Sequence, residues 1–451
     1  MRRVLLMSAL VVLVAGAGVR IAYGQRTIVP SHEEPPSASI PAFPGAMGWG
    51  ANTPGGRGGR VIEVTSLAAE GPGSLAEALA AEGPRIVVFR VGGVIETTRN
   101  LSIRSPYCTI AGQTAPGDGI CIKGGSLRIG THDVVIRGLR VRVGDGEVGP
   151  DPENRDSIDI AGDGDSVYNV LIDHCSLSWA VDETLTTWYT PHHVTAQWCV
   201  ISESLHDSLH PKGPHGMGVL VGDNSRKITL HHNLLIHNNA RNPLFKGGTH
   251  AEFVNNLVVN WGGSGANIND HERRCGPCLI NIVGNVYQAG VDSSSRVVRS
   301  NDRCHEGTRV HIADNVLIPY GDKRLVPWEG PDAFLTDTPV EGSGLPIEST
   351  DGLIGRIVAS VGAVSPGRDD VDNRLIGDVE NRTGAIIDSQ QEVGGWPRYN
   401  GAEPPADADH DGMPDDWERL HGLDPNDPAD AAKDRDGDLY TNVEEYVNGL
   451  I

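Results

Sequence analysis

A right-handed parallel β-helix is the fold this sequence predicts, and three observations predict it. Seven short β-branched runs follow one another through the middle of the chain, at 134–141, 170–177, 194–201, 228–236, 251–259, 279–286 and 310–317, with few helical patterns between them. Four of them carry an asparagine just before a second apolar pair: Asn233, Asn256, Asn285 and Asn315, spaced by 23, 29 and 30 residues. Glycine supplies 57 of the 451 residues, about twice the usual ~7%. A register that returns every 20 to 30 residues marks a solenoid. Strand, tight asparagine turn, strand is one side of a coil, and stacked coils set each amide above the last, where the side chains can hydrogen-bond as a ladder. The glycines then belong to corners that need φ > 0. An antiparallel sandwich with regular turns is the alternative; the strict asparagine register argues against it.

The elements follow in chain order. Arg2 and Arg3, the apolar stretch 4–19 and the small residues around Tyr23 (Ala22 and Gly24) read as an export signal over 1–24. The apolar run is short of the ~20 residues a span needs, and Arg20 interrupts it. A secreted, extracellular or periplasmic protein is therefore expected, with no membrane segment after signal removal. The segment 73–79 reads as a short amphipathic helix with Ser74 as N-cap, and 85–89 as a buried strand. The β-helix is expected over 40–340, a tail packing on or extending it over 341–400, and a separate module over 401–451.

Charge and cysteines narrow the function. The net charge is −22, which excludes a nucleic-acid binder, since phosphate needs a positive surface. More than half of that charge lies in residues 401–451, which hold 15 acidic and three basic side chains. Seven cysteines in an exported chain predict at least one disulfide. Cys275-Gly-Pro-Cys278 has thioredoxin spacing, but a strand pattern follows it where a redox motif needs a helix, so a structural disulfide, with Cys304 as a candidate partner, is expected. The paired His231 and His232 precede a ladder asparagine and read as structural. His192, His193, His206, His210 and His215 leave a transition-metal site open. Asp173 and His174 should point to opposite faces of a strand and form no dyad.

Several segments, in order, carry a resemblance. They are Phe-Pro-Gly-Ala at 43–46, Arg-Ile-Val-Val-Phe at 85–89, Ile-Ala-Gly-Gln-Thr at 110–114, Val-Leu-Ile-Asp-His at 170–174, His-His-Asn at 231–233 and Arg-Asn-Pro at 241–243. Residues ~43–320 resemble a secreted pectate lyase of the first polysaccharide lyase family. The tail from 368–374 to 394–397 resembles endings of some secreted members. The resemblance implies β-elimination on polygalacturonate, assisted by Ca2+ as Lewis acid and charge clamp. It places calcium aspartates at Asp156 and Asp182, beside Glu183, and the proton-abstracting base at Arg241. It also implies that Lys246 and, more loosely, Lys212 bind substrate carboxylates. The family usually has a further carboxylate where this chain has Thr186; Glu183, Asp159 or an ion recruited by the substrate could compensate. Guanidinium rarely gives up its proton, so chemistry alone makes Arg241 an electrostatic stabiliser first and a base second.

The last 51 residues carry their own pattern. Asp407, Asp409, Asp411, Asp415 and Glu418 occupy positions 1, 3, 5, 9 and 12 of a calcium loop with Gly412 at 6. Asp434, Asp436, Asp438, Asn442 and Glu445 repeat it, with Leu439 where glycine is usual and strain is expected. No entering helix precedes Asp407, so the pair resembles dockerin-like or thrombospondin type 3-like repeats, which implies a cell-surface or scaffold partner. A monomer is expected. The rival readings are a polygalacturonase-type hydrolase, which would need paired carboxylates about one bond, and a non-catalytic polysaccharide-binding surface protein.

Overall fold

The computed structural model describes residues 40–162, 164–270 and 275–451; the export signal expected at 1–24 lies outside the described residues. Three all-parallel sheets of ten, nine and nine strands stack side by side. Successive strands in the chain visit the three sheets in turn, so each circuit is one coil of a parallel β-helix. Inward-facing Val, Ile and Leu side chains form one continuous core from Val64 to Phe334. No described helix is long and apolar enough to cross a membrane.

The asparagine register has the consequence expected of it. The side-chain amide of Asn233 donates to Asn256 Oδ1 at 3.0 Å, that of Asn256 to Asn285 at 3.0 Å, and that of Asn285 to Asn315 at 2.9 Å. Each oxygen also accepts the backbone N–H of the asparagine one coil earlier. The residue before each ladder position turns the chain in the left-handed region: His174, Trp198, His232, Asn255, Gly284 and Asp314 have φ between 48° and 66°. Stacking of these corners brings the rings of Trp198 and His232 to 4.5 Å. Asn256→Ala should strip a buried donor–acceptor column of its centre and cost about 3 kcal/mol, measurable as a lowered denaturation midpoint.

Two expectations are corrected: the disulfide expected around Cys275, Cys278 and Cys304, and the opposite facing of Asp173 and His174. Cys175 and Cys199 occupy the ladder position in the two coils before Asn233; the Cys199 N–H donates to Asn233 Oδ1 at 2.9 Å. They are buried, small and stacked, with thiols that donate to backbone carbonyls. All seven cysteines are free, so the expected disulfide is absent: six thiols are spent as buried core residues, and Cys278 and Cys304 each bond locally to Lys246 O and to Ser300 and Asn301. The left-handed corner also corrects the view of Asp173 and His174. At φ 48° the chain reverses, and His174 Nδ1 lies 2.8 Å from Asp173 Oδ1. Alternation to opposite faces holds only for extended backbone. Asp173 also accepts from Arg137 Nε at 2.8 Å. Burial pushes the Asp173 carboxyl up, yet Arg137 and His174 hold it down at about 2, so the pair is structural.

The short helix α1 (Leu75–Ala80) forms where expected, with Ser74 accepting the Glu77 N–H. Residues beyond the last coil do not add strands. Helices α2 (Leu353–Ser360) and α3 (Asp370–Asn381) lay Leu353, Ile357, Val371, Leu375 and Val379 on the outward residues Val200, Leu234, Leu257 and Val286 of one nine-stranded sheet. Beneath them Arg142, fully buried, donates to both oxygens of Asp369 at 2.8 Å and to Asp372 at 2.9 Å.

Candidate functional site

The other nine-stranded sheet carries a groove of about 770 Å³ on its outer face. Four successive strands build its floor: Ile158–Gly162, Glu183–Tyr189, Met217–Val221 and Leu244–Lys246. Their registers align Ile158 with Leu185, Glu183 with Met217 and Leu220 with Leu244. Residues just before each strand therefore converge, although up to 85 residues separate Asp156 from Arg241 in the chain.

Asp156, Asp182 and Glu183 bring carboxylate oxygens within 4.8 Å of one another. Asp156 accepts the Glu183 N–H at 3.1 Å. Burial pushes its carboxyl well above the usual carboxylate range, and Asp159 and Asp182 push it further. Arg241 reaches the same cluster and pairs directly with Glu183. Burial lowers the Arg241 guanidinium, while Asp182 and Asp156 oppose that shift. Its backbone is left-handed, at φ 59°.

The remaining candidates line the same groove. Lys246 Nζ sits 3.0 Å from Asp223 Oδ2 and 4.7 Å from the Trp188 ring centroid. Lys212 is exposed at the rim, 3.5 Å from Glu153. Thr186 stands in register with Asp159 of the neighbouring strand, whose carboxylate faces Arg128 at 3.3 Å. The position the family fills with a carboxylate thus has one beside it, a coil away.

One feature was legible only as a surplus of histidines. His215 Nε2 lies 2.7 Å and His210 Nε2 3.6 Å from the same Asp182 oxygen, with the two rings parallel at 3.9 Å. Asp182, His210 and His215 bring their ligand atoms within 4.8 Å of one another, in the histidine-rich stretch that left a transition-metal site open. Burial and the neighbouring His215 lower the basicity of His210. By contrast His231 is fully buried, held by Gln197 at 3.1 Å and pushed by burial down to about 3, as a structural residue would be.

The C-terminal candidates form two groups. Asp407, Asp409 and Asp411 lie together, and Asp411 also meets Glu418 and Asp430; Asp434, Asp436, Asp438 and Glu445 lie together elsewhere. One motif residue, Asp415, does not join its own group. Asp415 accepts the Ala408 N–H at 2.8 Å and pairs with Arg419 at 3.0 Å, because it opens helix α4 (Asp415–His421), where a carboxylate is favoured. Asn442 opens α5 (Asn442–Asn448) and donates to the Asp430 carbonyl at 2.8 Å. Leu439 takes φ 80°, the strained geometry expected where glycine is usual.

No family model matches the chain. A protein named probable pectate lyase C from Aspergillus flavus is 36% identical over 429 residues, covering 92% of this chain and 95% of its own length. Its namesake from Emericella nidulans is 36% identical over 430 residues, covering 92% and 94%. Among solved structures, the cedar-pollen allergen jun a 1 superposes with a TM-score of 0.55 at 18% identity, covering 71% of this chain and 93% of its own.

Proposed function

The chain belongs to the pectate lyases, which are polysaccharide lyases, and from that premise we propose a calcium-dependent β-elimination on polygalacturonate that yields 4,5-unsaturated oligogalacturonides. One observation carries the reading: Arg241, Lys246 and three clustered carboxylates converge in a single groove of about 770 Å³. The donor set suits calcium, which takes several carboxylate oxygens. Asp156, Asp182 and Glu183 would hold the ion, and the crowding that raises Asp156 is what a bound dication would relieve. When bound, calcium would grip the uronate carboxylate and make the C5 proton more acidic.

The chain's own residues supply the rest. His215 and His210 hold Asp182 in place. Lys246, now balanced by Asp223, exchanges that partner for a substrate carboxylate while Trp188 keeps it positioned. Arg241 enters the step as the neutral guanidine that burial favours and takes the C5 proton, becoming a guanidinium that stabilises charge developing at C5. The C5–H electron pair forms the C4–C5 double bond as the C4–oxygen bond breaks, and the leaving glycosidic oxygen takes a proton from water. The N-terminal pattern of Arg2, Arg3 and an apolar run supports secretion.

Incubation with polygalacturonate should produce absorbance from an unsaturated uronide, and a calcium chelator should remove at least 90% of the rate. New reducing ends without that absorbance would identify a hydrolase, and neither signal a binding protein.

A further inference from the structure

We propose that the first C-terminal loop holds one Ca2+ completed from outside the loop by Asp430 and Asn442, and that this ion fastens the C-terminal segment to the flank of the β-helix. The inference does not rest on the lyase reading.

The first argument is unsatisfied buried oxygen. Both oxygens of Asp409 and of Glu418, Oδ2 of Asp411, and Oδ1 of Asp430 and of Asn442 are buried with no hydrogen-bond partner. Glu418 and Asn442 are 0% exposed. A buried carboxylate without a partner is costly, and a cluster of them far more so. Burial and mutual repulsion push Asp411 up to about 7 and Glu418 up to about 8. Protonation could relieve the acids, but it does nothing for Asn442. That neutral oxygen is independent of the acidic cluster: its amide nitrogen is pinned on the Asp430 carbonyl at 2.8 Å, and its free oxygen still lacks a donor. Asp407, Asp409, Asp411, Glu418, Asp430 and Asn442 are all hard oxygen ligands, and six such residues meet the six to eight oxygens calcium takes.

The second argument is where these ligands sit. Met413, Ala431, Val443 and Val447 pack on Ile86, Val88 and Ala111, outward residues of the ten-stranded sheet. Met413 is two residues from Asp411, Ala431 follows Asp430, and Val443 follows Asn442. Three of the four apolar contacts are thus within two residues of a ligand. Gly412 marks the closeness of the fit: φ is 90°, and a Cβ there would lie 2.9 Å from Val61. Polar contacts frame the patch, with Arg57 on Glu444 at 2.9 Å, Arg90 on Asp407 at 3.5 Å, and Gln113 donating to Val447 O at 3.1 Å. The apolar face that a docking module would offer a partner is covered by the chain's own solenoid. An ion that draws three separated stretches (407–418, 430 and 442) together therefore also shapes the surface that docks.

The second loop is built differently. Its Glu445 is held by Arg435 at 2.6 Å through one oxygen while the other is buried without a partner. Its Asp434, Asp436 and Asp438 are exposed, and its ninth-position asparagine is assigned to the first loop.

The test uses the full chain, titrated with Ca2+ alone, with amide exchange read over 401–451. Calcium should slow exchange in 407–447 and in the sheet strand Arg85–Phe89 together. Glu418→Gln and Asp430→Asn should each weaken the tight calcium affinity about 100-fold and lose that protection, while Asp416→Asn, on the exposed face of α4, keeps both. Unchanged affinity in Asp430→Asn would overturn the ligand assignment. Tight calcium binding with no added protection of Arg85–Phe89 would overturn the fastening role and point to a free docking module.

Discussion

Arg241→Lys should lose at least about 10³-fold in kcat with its fold intact, a barrier increase of about 4 kcal/mol. The substitution keeps the charge and the left-handed backbone demand, which at φ 59° weighs on lysine as on arginine. What it removes is the planar guanidinium that reaches Glu183 and faces the Asp156–Asp182 cluster. Lysine is a compact, strongly hydrated point charge and cannot reproduce that fork. General-base roles are worth 10²–10⁴, whereas a purely electrostatic role would leave much of the rate to any cation in place. Initial rates by unsaturated-uronide absorbance, with circular dichroism to verify the fold, decide the matter. Activity within tenfold of the wild type would remove Arg241 from the proton transfer.

The asparagine ladder shows why the fold was legible in the sequence. A solenoid repeats its local environment, so the residue each coil needs recurs at a spacing that can be counted, and the amides of Asn233, Asn256, Asn285 and Asn315 do bond in that order. The groove was legible for a related reason: its residues precede strands of successive coils, and once coils stack in register they must converge. What escaped the sequence depends on contacts between coils and remote segments. Cys175 and Cys199 stand in the ladder column, and nothing local in the sequence shows it. His210 and His215 were two among 17 histidines, and only the return of the chain to Asp182 distinguishes them. Asp430 lies outside both twelve-residue loops, so no loop pattern could include it. Asp173 and His174 were misjudged because alternation fails at a left-handed corner that the sequence does not announce.

The tail offers the second large effect. Arg142→Met should destabilise the packing of α2 and α3 by about 3–5 kcal/mol, the range for removing one partner of a buried ion pair. Arg142 is fully buried and donates to Asp369 and Asp372 at 2.8 and 2.9 Å, and to Ser178 Oγ at 2.6 Å. Methionine fills much of the volume but leaves two carboxylates facing each other. Arg140 bonds chiefly to carbonyls of Ala363, Gly367 and Asp118, and its approach to Asp369 is only 3.6 Å, so it is a weak substitute. Amide exchange in α3 should accelerate by more than 100-fold, while exchange in the inner strands, whose core is continuous without the tail, changes little. A triple variant, Arg142→Met with Asp369→Asn and Asp372→Asn, should recover part of the loss, because the two carboxylates are neutralised and buried Arg140 keeps its carbonyl partners. Equal instability in the triple variant would mean that the cost was lost packing and not charge. The two outcomes separate an electrostatic clasp from a simple apolar lid over Val200, Leu234 and Leu257. Only the clasp accounts for an arginine at a position that a leucine could otherwise fill.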